Sequence, residues 1–127
     1  MTPFLIAFGG ALGSLARYWL SEALALALGP AFPWGTLIVN VSGSFVIGCA
    51  AGGTIGDTRL ITSSFVRHFV MVGLCGGYTT FSAFSLQTVS MLQVGDFGRA
   101  SFNVAASVGT CLLATWAGFT LAAALSR

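Results

Sequence analysis

Residues 76–85, taken together with Asn40, combine aromatic rings with neutral hydrogen-bond donors, a set of groups suited to a small anion. Phe81 and Phe84 lie three residues apart, and the partly positive edge of an aromatic ring can stabilise an anion. The polar donors are one amide with two N–H groups and two hydroxyls, on Asn40, Ser82 and Ser85. None of these groups carries a fixed charge, which favours an ion that must bind and then leave.

The same stretch also suits a cation through its backbone. It lies within a charge-free run, residues 69–95, where the Gly76-Gly77 pair predicts a break between two half-helices. Backbone groups freed by a break in hydrocarbon need partners in protein, water or ions. Carbonyl oxygens around Gly76 and Thr79 are hard ligands that suit a monovalent cation such as Na⁺. We therefore interpret this segment as the functional centre.

The composition excludes a soluble protein. The chain has 127 residues, of which 6% are charged and 56% are hydrophobic, with a mean hydropathy of +0.92. So few charges cannot cover the surface of a soluble domain, so we predict an all-α integral membrane protein of one domain, residues 1–127. The net charge of +2 is too small and too scattered for a nucleic-acid surface.

Four membrane spans fit the pattern of apolar runs and turn residues, since a spanning helix needs about 20 apolar residues. The predicted spans are residues 3–28, 34–55, 62–92 and 97–124, the third broken at its centre. Rows of small residues allow close contact between helices in lipid: Gly9 and Gly13, then Gly48, Gly52 and Gly56. Packing inside one bundle is the favoured use of these rows. Because four short spans enclose little interior, we also expect an oligomer.

Arginine placement specifies orientation weakly. Arg59, Arg67 and Arg127 fall on one predicted side of the membrane, and Arg99 falls on the other. The positive-inside rule needs a clear excess of Lys and Arg in short loops, and this excess is slight. Insertion in both directions, giving antiparallel homodimers, is therefore a hypothesis.

Two further spans carry polar rows. Thr36, Asn40 and Gly43 recur on one face of the second span, although an Asn in a span also serves as an interhelical hydrogen-bonding group. The fourth span has an i+4 row: Asn103, Ser107, Cys111 and Thr115. Hydroxyls in membrane helices often bond their own i−4 carbonyl, so this row alone is a weak indication of a site.

The few charged residues form no catalytic constellation. Arg17 lies within the first span, at a cost of roughly 2.5–3.5 kcal/mol at a helix centre. Its side chain can either extend to the interface or face a vestibule that attracts anions. The acidic and histidine residues are scattered without a nucleophile–base motif, so an enzyme is not expected.

These motifs resemble the Fluc (CrcB) family of fluoride channels. The ten-residue core at 76–85 carries the resemblance, together with Gly9, Gly13, Arg17 and Tyr18 in the first span and the segment around Asn40 in the second. The resemblance implies an antiparallel dual-topology homodimer in a bacterial inner membrane. Two pores would conduct fluoride outward passively through the lipid bilayer.

The resemblance also implies a set of site residues. Asn40, Phe81 and Phe84 would contact fluoride, with Arg17 at the vestibule. Further pore positions would be Thr36, Ser82, Ser85, Ser107 and Thr115. The carbonyls of Gly76 and Thr79 from both subunits would hold a central Na⁺. Two residues depart from the family pattern. Ala83 stands where family members often have Thr, and Gln87 stands where they commonly have an acidic residue.

Two other functions fit parts of the sequence. A small multidrug-type proton-coupled exporter has the same size but needs a carboxylate deep in the first span, and Glu22 lies close to its end. A non-transporting assembly subunit would need only the small-residue rows. That subunit would tolerate substitution of Asn40, Phe81 and Phe84, whereas a channel would lose flux.

Overall fold

The computed structural model describes residues 1–53 and 64–127, and every regular element in these ranges is a helix. The helices are α1 (Thr2–Leu28), α2 (Trp34–Gly52), a π-helix (Val66–Cys75), α3 (Gly76–Tyr78), α4 (Phe81–Gln93) and α5 (Phe97–Leu125). The prediction of an all-α protein is confirmed.

Turn residues set the helix ends closely. α1 ends one residue before Gly29, which has φ of +83°, a conformation that favours glycine. α5 begins after Asp96, whose carboxylate accepts a hydrogen bond from the backbone N–H of Arg99. The predicted end of the second span at residue 55, the start of the third at 62, Gly56 and Arg59 all lie outside the described residues.

The described helices are those of a multi-pass membrane protein. Three stretches are long and apolar enough to cross a membrane: Trp34–Gly52, Val66–Gln93 and Phe97–Leu125. Large apolar side chains are exposed along them, as lipid-facing residues are. α1 has 27 residues but includes Arg17 and Glu22 and does not meet the same criterion. The first predicted span therefore stays a prediction.

Glycines bring the helices together in two tight pairs. α1 packs on the π-helix and α3, where Gly13 lies against the backbone of Leu74 and Tyr78. α2 packs on α5, where Gly48 and Gly52 lie against backbone atoms of that helix. In lipid such close approach gives van der Waals packing without a hydrophobic driving force. The predicted packing role is confirmed for Gly9, Gly13, Gly48 and Gly52.

In residues 66–93 we predicted two half-helices that separate at the Gly76-Gly77 pair, but both glycines lie within α3. The first part is π-helical over ten residues, Val66–Cys75. Thr79 (φ −82°, ψ 155°) and Thr80 (φ −149°, ψ 114°) then have extended backbones before α4 begins. The π-helix packs on α1, where Gly9 lies against the backbone of Phe69, Gly73 and Leu74.

Candidate ion-binding site

Asn40 binds one of the two extended residues, Thr80, through both ends of its amide. Its Nδ2 donates to the carbonyl oxygen of Thr80 at 3.0 Å, and its Oδ1 accepts from the backbone N–H of Thr80 at 2.7 Å. The N–H of Thr80 therefore bonds to α2 instead of the helical i−4 acceptor, the carbonyl of Gly76. Because an amide nitrogen has two N–H groups, Asn40 keeps one donor beyond this pairing.

The Thr80 side chain completes the local structure. Its hydroxyl oxygen accepts a hydrogen bond from the backbone N–H of Ala83 at 3.1 Å, which caps the N-terminus of α4. The hydroxyl of Thr79 donates to the carbonyl of Cys75 at 2.8 Å. The two threonines thus satisfy the ends of the helices on either side of the extended residues.

The two hydrogen bonds between Asn40 and Thr80 form a clamp. Beside this clamp a groove of about 340 Å³, which we call the Asn40 groove, runs between α2, α4 and α5. Its lining residues are Asn40, Ser44, Thr79, Phe81, Phe84, Ser107, Val108, Cys111 and Leu112. The groove thus gathers four of the predicted pore residues from three helices, and none of its lining side chains is an acid, a lysine or an arginine. Its chemistry is that of neutral donors and aromatic rings.

The two phenylalanines of the groove have different surroundings. Their ring centroids are 5.4 Å apart and the rings are tilted by 52°. Phe84 is 8% exposed, whereas Phe81 is 77% exposed on the protomer surface. Phe81 is therefore free to contact lipid or a second chain, while Phe84 is fixed by its own protomer.

Two predicted pore residues line a second cavity, which we call the Arg17 cavity, and do not line the Asn40 groove. The Arg17 cavity has a volume of about 540 Å³ and is lined by Ser14, Arg17, Tyr18, Ser21, Thr36, Thr80, Ser82, Ala83, Leu86 and Gln87. Thr36 and Ser82 thus lie with Arg17 rather than with Phe84. Thr80 lines this cavity while Thr79 lines the groove, so the extended residues stand between the two spaces.

The Arg17 cavity is lined by one cation, Arg17, and by Gln87, which also lines a neighbouring cavity with Glu22. Among the described residues, the guanidinium of Arg17 has no hydrogen-bond or ion-pair partner. The side-chain oxygen of Gln87 is buried, and no described residue donates a hydrogen bond to it. A cavity with an unpaired cation attracts anions because low-dielectric walls focus its field.

The remaining predicted residues lie outside these two spaces. Ser85 donates to the carbonyl of Phe81 at 2.9 Å, and Thr115 donates to the carbonyl of Cys111 at 3.0 Å. Both hydroxyls thus bond their own helix. Gly76 is exposed in α3.

Sequence reasoning missed two features near the groove. Ser44 lines it, and its i+4 spacing from Asn40 was a usable signal. Asn103 is 2% exposed behind the groove and donates to the hydroxyl of Thr88 at 2.9 Å. The i+4 row included Asn103 but gave no indication of its partner on another helix.

Comparison with known proteins gives a family over nearly the whole chain. The family model described as "CrcB-like protein, Camphor Resistance (CrcB)" matches residues 4–119. A relative from Opitutus terrae is 52% identical over 121 residues, covering 95% of this chain and 92% of its own. One from Rhodospirillum rubrum is 53% identical over 118 residues, covering 93% and 92%. One from Paramagnetospirillum magneticum is 49% identical over 127 residues, covering 100% and 99%. All three are named "Fluoride-specific ion channel FluC".

Proposed function

The chain belongs to the CrcB family, and from this membership we propose that it is a fluoride-selective ion channel rather than an enzyme. The observation that carries the proposal is the full-length similarity to a relative named as a fluoride-specific channel, with 100% of this chain and 99% of the relative covered. The chain would conduct passively and release fluoride from the cytoplasm across a bacterial inner membrane.

The Asn40 groove supports an anion path of neutral groups. Asn40 offers its second N–H, and the edges of Phe81 and Phe84 offer partly positive hydrogens. Ser107 lines the groove on the facing helix, where its hydroxyl donates to Asn103 Oδ1. With no cation lining the groove, an anion is not held too tightly to leave, as conduction requires.

Residues 66–93 would form one span broken at its centre, with a structural Na⁺ at the break. Asn40 takes the N–H of Thr80 and so frees the carbonyl of Gly76 from its helical bond. Together with the carbonyl of Thr79, this gives a set of neutral oxygens suited to Na⁺. Bound there, the ion would neutralise backbone dipoles and join the half-helices.

A second copy of the chain, inserted antiparallel, would complete the channel. Gly76 and Phe81 are both exposed on the single protomer. Carbonyls from one chain alone offer few ligands for a cation, and a two-fold related chain doubles them. The same contact would cover the Phe81 ring and give each pore a second wall.

Liposome efflux tests the channel directly. Purified protein is reconstituted in vesicles loaded with fluoride and chloride, and both ions are followed with selective electrodes. We expect rapid fluoride efflux with chloride retained. Phe81→Ile should reduce fluoride efflux by roughly tenfold or more, equivalent to 1.4 kcal/mol on the barrier.

Phe4→Ile is the matched control, since Phe4 is 76% exposed and lines neither cavity. It should conduct like the unmodified protein. Efflux that follows an imposed proton gradient beyond its electrical effect would instead indicate an exporter. No flux of either ion from folded protein would contradict transport.

Arg17 is expected to concentrate anions at one end of the path. Arg17→Gln should lower fluoride efflux by roughly three- to tenfold at 10 mM ionic strength, where a surface charge acts over about 30 Å. The defect should shrink at 300 mM salt because the field is screened. Arg17→Lys keeps the charge and Arg127→Gln removes an exposed terminal charge, so both should stay close to the unmodified protein. A salt-independent loss in Arg17→Gln would contradict a role in attraction.

A further inference from the structure

A buried hydrogen-bonded chain joins α4 to α5 behind the Asn40 groove. The Thr88 hydroxyl donates to the carbonyl of Phe84 at 2.8 Å and accepts from Asn103 Nδ2 at 2.9 Å. At the other end of the same amide, Asn103 Oδ1 accepts from the Ser107 hydroxyl at 3.4 Å. Phe84, Thr88, Asn103 and Ser107 are all at most 9% exposed.

The direction of each bond follows from the number of protons available. A hydroxyl has one proton, and that of Thr88 goes to a carbonyl, which can only accept. Thr88 must therefore accept from Asn103, which places the amide nitrogen of Asn103 toward α4 and its oxygen toward Ser107. Asn103 thus bonds directly to one groove residue, Ser107, and reaches a second, Phe84, through Thr88.

Asn103 and Thr88 do not themselves line the groove, whereas Phe84 and Ser107 do. Asn103 and Thr88 therefore lie behind the side chains that form the wall of the groove. α4 starts directly after the extended residues and packs mainly on α5, with less contact to α2. The amide of Asn103 is thus a specific link between α4 and α5 at the level of the Phe84 backbone.

We propose that Asn103 is a positioning residue that fixes Phe84 through Thr88 and holds the Ser107 side chain in the wall of the Asn40 groove. This inference rests on the proposed channel function and deepens it. The alternative is a bond that joins the helices without affecting the ion path, as interhelical polar groups commonly do. The two roles predict different behaviour when both partners are made apolar together.

Thr88→Val removes the hydroxyl at nearly constant shape and leaves a buried N–H of Asn103 without an acceptor. We expect fluoride efflux to fall by roughly five- to tenfold, as loss of one interhelical bond in a membrane allows, with a smaller ratio of fluoride to chloride flux. Thr88→Ser keeps the hydroxyl and should restore both. Thr120→Val is the matched control, since that hydroxyl is exposed and bonds its own helix at Trp116.

The double variant Thr88→Val with Asn103→Leu separates the two roles. It removes both polar groups, so thermal stability in detergent should return toward that of the unmodified protein. Fluoride efflux should stay low, because Phe84 and Ser107 have lost their support. Recovery of stability and efflux together would overturn the positioning role.

Fluoride efflux from the unmodified protein distinguishes failure of the positioning inference from failure of the channel proposal. If it conducts fluoride and Thr88→Val conducts as Thr120→Val does, the positioning inference is overturned while the channel stands. If the unmodified protein is folded and passes no fluoride, the channel proposal is overturned, and the inference that rests on it falls too.

Discussion

Asn40→Asp is expected to reduce fluoride efflux by more than about 100-fold. The carboxylate has no N–H, so the carbonyl of Thr80 loses the donor that lies 3.0 Å away. The variant also places a negative charge in a groove lined by no cation. Two like charges 4 Å apart repel by about 4 kcal/mol at an effective dielectric of 20, which corresponds to roughly 1,000-fold. Liposome efflux with a fluoride electrode at pH 7 measures the loss.

Asn40→Leu separates the two causes of this loss. It removes the donors and the acceptor but adds no charge, so it retains some efflux if repulsion dominates in Asn40→Asp. Equal losses in both variants would assign the effect to the lost hydrogen bonds of the amide, to Thr80 and to the ion, and not to the added charge. Efflux from Asn40→Asp close to that of the unmodified protein would contradict a place for Asn40 on the ion path. Circular dichroism and elution volume show whether each variant is folded.

The role of Asn40 illustrates how far the sequence could lead. Its residue type and its place on the second span identified a donor within a membrane helix. The clamp could not be predicted, because its partner is a backbone group 40 residues away. The pattern of side chains on one helix does not show where the backbone of another segment lacks its helical hydrogen bonds.

The grouping of pore residues was limited in a similar way. Thr36 and Asn40 share one face of α2, which predicted a common environment. The extended segment at Thr79 and Thr80 lies between two spaces, and it places Thr36 with Arg17 and Asn40 with Phe84. Helix periodicity gives a face of one helix, whereas a cavity is formed by the elements that pack against that face.

The bounds of the helices were predicted more accurately than their type. Gly29 and Pro30 after α1, and Gly95 and Asp96 before α5, are strong local signals, and the predicted ends agree within a residue or so. The sequence shows no such signal for the π-helix at Val66–Cys75, which is a rare helix type.

Gly13→Ala is expected to destabilise the fold by about 1–3 kcal/mol, the usual range for overpacking a tight contact. A Cβ at Gly13 would overlap the carbonyl oxygen of Leu74 and lie 2.8 Å from the backbone nitrogen of Tyr78. Backbone atoms cannot rotate away as a flexible side chain can. The π-helix or α3 must therefore shift, and Tyr78 directly precedes the extended residues that Asn40 holds.

Gly10→Ala provides the matched control on the same helix. Its Cβ would meet only the carbonyl oxygen of Gly73 at 3.9 Å, an ordinary contact. Alanine also has the higher helix propensity, by about 1 kcal/mol, so Gly10→Ala should be neutral or slightly stabilising. Thermal unfolding in detergent compares the two. Similar midpoints for both variants would contradict the packing of α1 on Leu74 and Tyr78, and a lower midpoint for Gly13→Ala alone would support this packing.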